Sequence, residues 1–219
     1  METTYIEIDS PDKHLSDVLE EIPSNVILYK TLTGIGATYS EIKAQRHSII
    51  IEPNVPVIIG KCNSDKHKND NLLGVYEGVT TDRIIKYLGA SRGKYYKILT
   101  TPESFTKVED AFLIFNGKIY NTCFLLIDEA HKTIKDVDYR SDIVLPMNDF
   151  FKFKGKALVS ATPLKFSDPR FEENGFSIIK IEPTYDYAKE IDIKPSTNIL
   201  REVWEEFGWM PFITGQDKD

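Results

Sequence analysis

The stretch VILYKTLTGIGATYSEIKAQR, residues 26–46, decides the fold. Its first four residues, VILY, have the make-up of a short buried strand, and TYSEIKAQR (38–46) has helix-like apolar spacing. Between them lie Thr33, Gly34, Ile35, Gly36, Ala37 and Thr38. Glycines after a strand and before a helix let backbone N–H groups close around phosphate oxygens. The run reads as T-G-x-G-K-[ST] with one fault: Ala37 stands where the lysine belongs. Thr31 likewise occupies the place of the first glycine in the wider pattern, while Thr38 is placed to offer its hydroxyl to Mg²⁺.

Outward from this unit the pattern repeats. Apolar or β-branched runs recur at SIII (48–51), LLGVY (72–76), YKILT (96–100), CFLLID (123–128), KALVSA (156–161) and FSIIKIE (176–182). Helical spacing returns in TTDRIIKYLG (80–89) and VEDAFLIFNG (108–117). Thr81 or Asp82 is placed to cap the first of these, with Gly89 ending it and Gly117 closing the second. Runs such as CFLLI and SIII do not alternate with polar residues, as expected of strands covered on both faces. Strands alternating with helices predict an α/β fold with a doubly wound, mostly parallel sheet. Such sheets bind ligands beyond the carboxyl ends of their strands, so chemistry is expected in the loops there.

Two more loops carry unusual residues. After FLLI comes Asp128-Glu129-Ala130-His131. Two carboxylates at the end of an apolar strand are costly unless a cation or a proton-transfer role awaits them. Asp128 suits Mg²⁺, and Glu129 suits the water that attacks a γ-phosphate. A capped helix start is the other reading of the same pair. After ALV comes Ser160-Ala161-Thr162-Pro163, which taken alone also reads as a plain turn. Glycine loop, DEAH and SAT in this order, each after a predicted strand, favour the functional readings.

Over residues 26 to about 165 the chain resembles the first, N-terminal RecA-like domain of superfamily 2 helicases of the DEAD/DEAH-box group, with a variant P-loop lacking its lysine. TGIGAT is similar to motif I, LLIDEAH to motif II and LVSATP to motif III; SIIIEPN and ILTTPESF resemble motifs Ia and Ib more loosely. The resemblance implies ATP at residues 33–38, Mg²⁺ on Thr38 and Asp128, and catalysis by Glu129 with Asp128. It implies coupling through His131, Ser160 and Thr162. It further implies contact with single-stranded DNA or RNA through Glu52, Pro53, Asn54, Thr101, Pro102, Glu103 and Ser104. Lys30 stands either as a substitute for the missing lysine or as a plain strand end.

Composition sets the remaining bounds. The net charge of −7 argues against a protein that coats nucleic acid by bulk attraction. Residues 182–219 hold nine acids against four bases, which leaves 1–181 at −2 with basic groups at Lys61/Lys66/Lys68 and Arg83/Lys86/Arg92/Lys94/Lys97. No apolar run approaches the ~20 residues of a membrane span, and the N-terminus has no signal-peptide pattern, so no membrane partner and a cytoplasmic location are expected. Cys62 and Cys123 lack metal-ligand spacing and read as reduced thiols. The expected division is a RecA-like domain over 1–182 and an acidic extension over 183–219. That extension carries one amphipathic helix near Asn198–Phe207, with Trp204, Trp209 and Phe212 on or after it. Unwinding would require a second RecA-like domain or a partner protein. Against an ATP-hydrolysing enzyme stand two alternatives: a non-hydrolysing module of the same fold that binds nucleic acid or protein, and a nucleotide-binding protein with no nucleic-acid role.

Overall fold

Each of the seven predicted runs forms a strand, and an eighth joins them in one sheet whose neighbours are all parallel. The computed structural model describes residues 1–32, 34–115, 117–135, 149–163 and 168–186. The strands are β1 (Thr3–Ile8), β2 (Val26–Lys30), β3 (His47–Ile51), β4 (Leu72–Val75), β5 (Lys97–Thr100), β6 (Cys123–Ile127), β7 (Gly155–Ser160) and β8 (Ser177–Pro183). Their order across the sheet is β1-β8-β2-β7-β6-β3-β5-β4.

Side chains alternate between the two faces of a strand. Ile49, Ile51, Leu125 and Ile127 accordingly enter one apolar cluster, while Ile50, Leu126, Ala157 and Val159 enter the other. Three helices contribute to the second cluster: α1 (Leu15–Val18) through Leu15, α2 (Ala37–Lys43) through Ala37 and Ile42, and α3 (Val55–Asn63) through Ile58. On the first face Ile84 and Leu88 come from α4 (Thr81–Ala90), Phe105, Val108 and Phe112 from α5 (Phe105–Ile114), and Ile119 from α6 (Ile119–Thr122). Burial on both faces is why the central strands need no polar alternation. Cys123 lies in this core, and both cysteines are free thiols.

Several helix boundaries differ from expectation. Thr80, rather than Thr81 or Asp82, caps α4, accepting from the Arg83 N–H, and the helix runs past Gly89 to Ala90. Helix α5 stops at Ile114, and the Gly117 N–H returns to the Phe112 carbonyl (2.8 Å). The helix expected at 198–207, with Trp204, Trp209 and Phe212, lies outside the described residues, as does most of 183–219. Among the described residues no helix is long and apolar enough to cross a membrane.

A buried polar network ties the end of α2 to the amino edge of the sheet. Glu41, fully buried, accepts from Arg46 Nε (3.0 Å) and Nη2 (2.5 Å) and from Ser48 Oγ (2.5 Å). Lys97, expected within a basic surface group, is instead buried here, donating to Glu41 O (2.7 Å), Ala44 O (2.8 Å) and Ser48 Oγ (3.0 Å). Three acceptors match the three N–H groups of an ammonium. Burial nevertheless pushes its pKa down to about 8, with Glu41 opposing and Arg46 adding to the fall. Between that value and the ordinary 10.5 the unfolded chain holds the proton more firmly. Stability from this group therefore rises with pH across that window. NMR of chains carrying ¹³Cε-labelled lysine is expected to resolve one resonance titrating near pH 8, absent in Lys97→Met; a lowest lysine midpoint above pH 10 would refute the assignment.

Candidate active site at the carboxyl edge of the sheet

Because all strands are parallel, the loops after β2, β3, β5, β6 and β7 emerge at one edge. Lys30 ends β2, and residues 31–36 lead into α2. Gly34 (φ 80°) and Gly36 (φ 88°) take left-handed backbone conformations that side-chain-bearing residues resist. A Cβ on Gly34 would meet no neighbour, so conformation rather than crowding requires glycine there. Ala37 is only 3% exposed and belongs to the core cluster that includes Leu15, Ile35 and Ile42. Thr33 lies outside the described residues.

Asp128 organises the edge. It is 5% exposed. Its Oδ1 accepts from Lys30 Nζ (2.9 Å) and from the Glu129 N–H (2.8 Å), and its Oδ2 accepts from Thr38 Oγ1 (2.5 Å). Burial works against its charge, but the Lys30 ammonium and these hydrogen bonds prevail and hold its pKa below the usual aspartate value. Glu129 follows with φ 50°, left-handed and unusual for a residue of its size. Its Oε1 lies 2.7 Å from Lys30 Nζ and its Oε2 lies 3.5 Å from His131 Nε2, the ring carried by α7 (Ala130–Lys135). His131 Nδ1 is 3.1 Å from Ser160 Oγ. Ser160 gives its one proton to the Thr162 carbonyl (2.7 Å) and accepts from the Thr162 N–H (3.1 Å), so His131 Nδ1 is the donor to Ser160. A continuous chain of polar contacts thus runs Thr38–Asp128–Lys30–Glu129–His131–Ser160–Thr162.

Glu52 joins this cluster rather than the outer loops. Strands β3 and β6 are neighbours with Ile51 opposite Ile127, so the residues just beyond them, Glu52 and Asp128, stand side by side. The Glu52 side chain is buried; its Oε1 lies 3.1 Å from Thr38 Oγ1, whose one proton goes to the nearer Asp128, and makes a short ion pair with Lys61 of α3. Burial, and then the charge of Asp128, push its pKa up, against Lys61 and Thr38. The other residues expected at a nucleic-acid surface lie after β3 and the adjacent β5. Of these Asn54 and Glu103 are exposed and Pro53 is half-buried, whereas Thr101, Pro102 and Ser104 are buried, the Thr101 N–H bonding the Val75 carbonyl (3.2 Å). The sequence marks Lys61 only as one member of the basic group Lys61/Lys66/Lys68. Glu52 had a signal of its own, an acid directly after an apolar strand, the one that marks Asp128.

Among the described residues no group of three or more His, Cys, Asp or Glu is placed to hold a metal ion. Thr38 and Asp128 offer a hydroxyl and a carboxylate, hard oxygen donors that suit Mg²⁺ when phosphate oxygens and water complete its shell. A cavity of about 550 Å³ lies at α5 and α6, lined in part by Glu109, Leu113, Tyr120 and Lys152. It sits toward the amino end of β6, opposite Asp128, and takes no residue of the cluster.

No family model matches the sequence, and no curated protein matches it. Solved structures do. The chain is similar to a hypothetical ATP-dependent RNA helicase from Sulfolobus tokodaii, at 16% identity over 72% of this chain and 48% of that one, with a TM-score of 0.49. It is similar to Mss116p bound to ssRNA and AMP-PNP, at 12% identity over 83% and 48%, TM-score 0.49. It is also similar to the Hef helicase domain of Pyrococcus furiosus, at 14% identity over 78% and 38%, TM-score 0.48. The chain spans less than half the length of each of these structures, and the likeness is one of fold.

Proposed function

We propose that the chain is a helicase-type ATP-binding domain that hydrolyses ATP with Mg²⁺ in response to single-stranded DNA or RNA. The observation that carries this reading is the polar chain from Thr38 through Asp128 and Glu129 to Ser160. It joins residues that end or follow three buried strands, β2, β6 and β7, at one edge of the sheet. Gly34, Ile35, Gly36 and Thr38 would border the phosphates, and Thr38 and Asp128 would hold the ion. Mg²⁺, when bound, supplies charge neutralisation for the phosphate oxygens. Glu129 orients the attacking water and takes its proton. His131 lies between Glu129 and the Ser160–Thr162 turn, so a shift of Glu129 on nucleotide binding is passed to β7. Asn54 and Glu103 lie on the loops that would face the strand. Unwinding is assigned to a larger assembly, with a second RecA-like domain or a partner protein closing over the nucleotide.

One observation favours a second reading. Ala37 packs into the core, so the position that usually brings an ammonium to the phosphates brings none. Without another cation the chain would be a non-hydrolysing module that binds nucleic acid or a protein. Melting curves with millimolar ATP and Mg²⁺, paired with phosphate release in the presence of oligonucleotides, separate the two. A raised melting temperature with strand-stimulated release is expected; no release, with or without a raised temperature, sinks the enzyme and supports the module. Oligonucleotide binding is expected to weaken with added salt, as neutralised phosphates release counterions.

A further inference from the structure

The place after Gly36 lacks an ammonium, yet the carboxylates such a group would face are not left unpaired. Lys30, the last residue of β2, is 6% exposed and sets Nζ between Asp128 Oδ1 (2.9 Å) and Glu129 Oε1 (2.7 Å). The other oxygen of Asp128 receives the Thr38 hydroxyl (2.5 Å), so a single carboxylate separates this ammonium from the hydroxyl proposed to hold Mg²⁺. A lysine that merely ends a strand reaches for water, because burying an ammonium is costly unless it is paired and hydrogen-bonded. Here the two carboxylates supply that pairing, and Lys30 sits buried between them.

We infer that Lys30 is the phosphate-contacting lysine of this chain, bringing from the strand before the glycine loop the charge that Ala37 does not bring after it. The inference rests on the nucleotide reading above. Lys30 before the glycine loop and Thr38 after it both reach Asp128, so the two ends of the loop meet at one carboxylate. In the nucleotide-free protein Lys30 balances the two acids. With nucleotide bound and Asp128 balanced by the nucleotide's ion, Lys30 exchanges a carboxylate oxygen for an oxygen of the terminal phosphate. Glu129 gives up its tie to that ammonium in the same exchange and becomes available to water. Lys30 thus links the arrival of a third phosphate to the release of the catalytic acid. Lys61 is the other nearby ammonium, but its ion pair is with Glu52, on the far side of Thr38, and its side chain is a quarter exposed.

Fluorescence titrations of the full chain with mant-ATP and mant-ADP in Mg²⁺ test the assignment. Losing one charge-assisted contact to the terminal phosphate is expected to weaken mant-ATP binding by Lys30→Met about tenfold or more, and mant-ADP binding by less than about threefold. Lys61→Met is expected to keep the wild-type ratio of the two affinities. Should Lys30→Met fail to fold with its two acids unbalanced, Lys30→Met combined with Glu129→Gln removes one of those charges and carries the same comparison. An unchanged ATP-to-ADP ratio on loss of Lys30, or a ratio lost with Lys61 instead, overturns the assignment and leaves the nucleotide site standing. Wild-type protein that binds neither nucleotide overturns the site and the assignment together.

Discussion

Glu129→Gln is expected to leave ATP binding intact and to cut the rate of phosphate release about 10²- to 10⁴-fold, the range for losing a positioned general base. The substitution keeps the side chain's volume and an oxygen that still accepts from Lys30 Nζ, now 2.7 Å from Oε1. What it removes is the negative charge and the capacity to take a proton from water. Binding and chemistry should therefore separate: the mant-ATP dissociation constant stays within about threefold while single-turnover release collapses. The nucleotide-free melting temperature should move little, because Asp128 still pairs with the same ammonium. Release at the wild-type rate would remove Glu129 from the chemistry. A proportionate loss of binding and release would mean that Glu129 shapes the pocket and does no proton transfer.

How far this edge was legible in the sequence depended on whether the signal was local. CFLLI and SIII announce strands buried on both faces, and each chemical loop follows such a run. The first strand, TTYIEI, escaped because it pairs only with β8 at the sheet edge and is mostly exposed, so its pattern is weak. Helix α3 escaped because VPVIIGKCN is apolar without helical contrast, places proline in its first turn, and leaves Val57 and Ile59 exposed. The companions of Asp128 were harder still. Lys30 reaches it only because the order β2-β7-β6 sets the strand ends of distant segments near one another. Glu52 turns inward because Ile51 lies opposite Ile127, a fact of lateral register that no linear pattern carries. Lys61 arrives from a helix face. Strand-and-loop grammar thus points to the candidate site, while sheet order chooses its second set of charges.

The largest expected loss of stability comes from the opposite edge. Glu41→Ala is expected to cost about 3–5 kcal/mol, the range for removing one partner of a buried ion pair. In a domain of this size that lowers the melting temperature by about 10 °C. The Arg46 guanidinium is then left with the longer ion pair to the exposed Glu21 (3.8 Å); it is packed 3.5 Å from the centre of the Phe124 ring and donates to the Ile22 carbonyl (2.8 Å), so it cannot turn to water without breaking that packing. Lys97 loses its nearest opposing charge while remaining buried. Glu41→Leu paired with Arg46→Met should recover much of the loss, since apolar replacement of a whole buried ion pair is often neutral. The consequence for the site follows from α2 itself. Its first turn holds Thr38, and its last is pinned by Glu41, Arg46 and Lys97, so loosening that end frees Thr38 from its 2.5 Å contact with Asp128. ATP with Mg²⁺ is then expected to raise the melting temperature of Glu41→Ala by less than it raises the wild type's, measured under the same conditions. A loss below about 1 kcal/mol would place the network on the list of buried pairs that contribute little. An undiminished nucleotide shift in a clearly destabilised variant would instead sever the amino-edge network from the site.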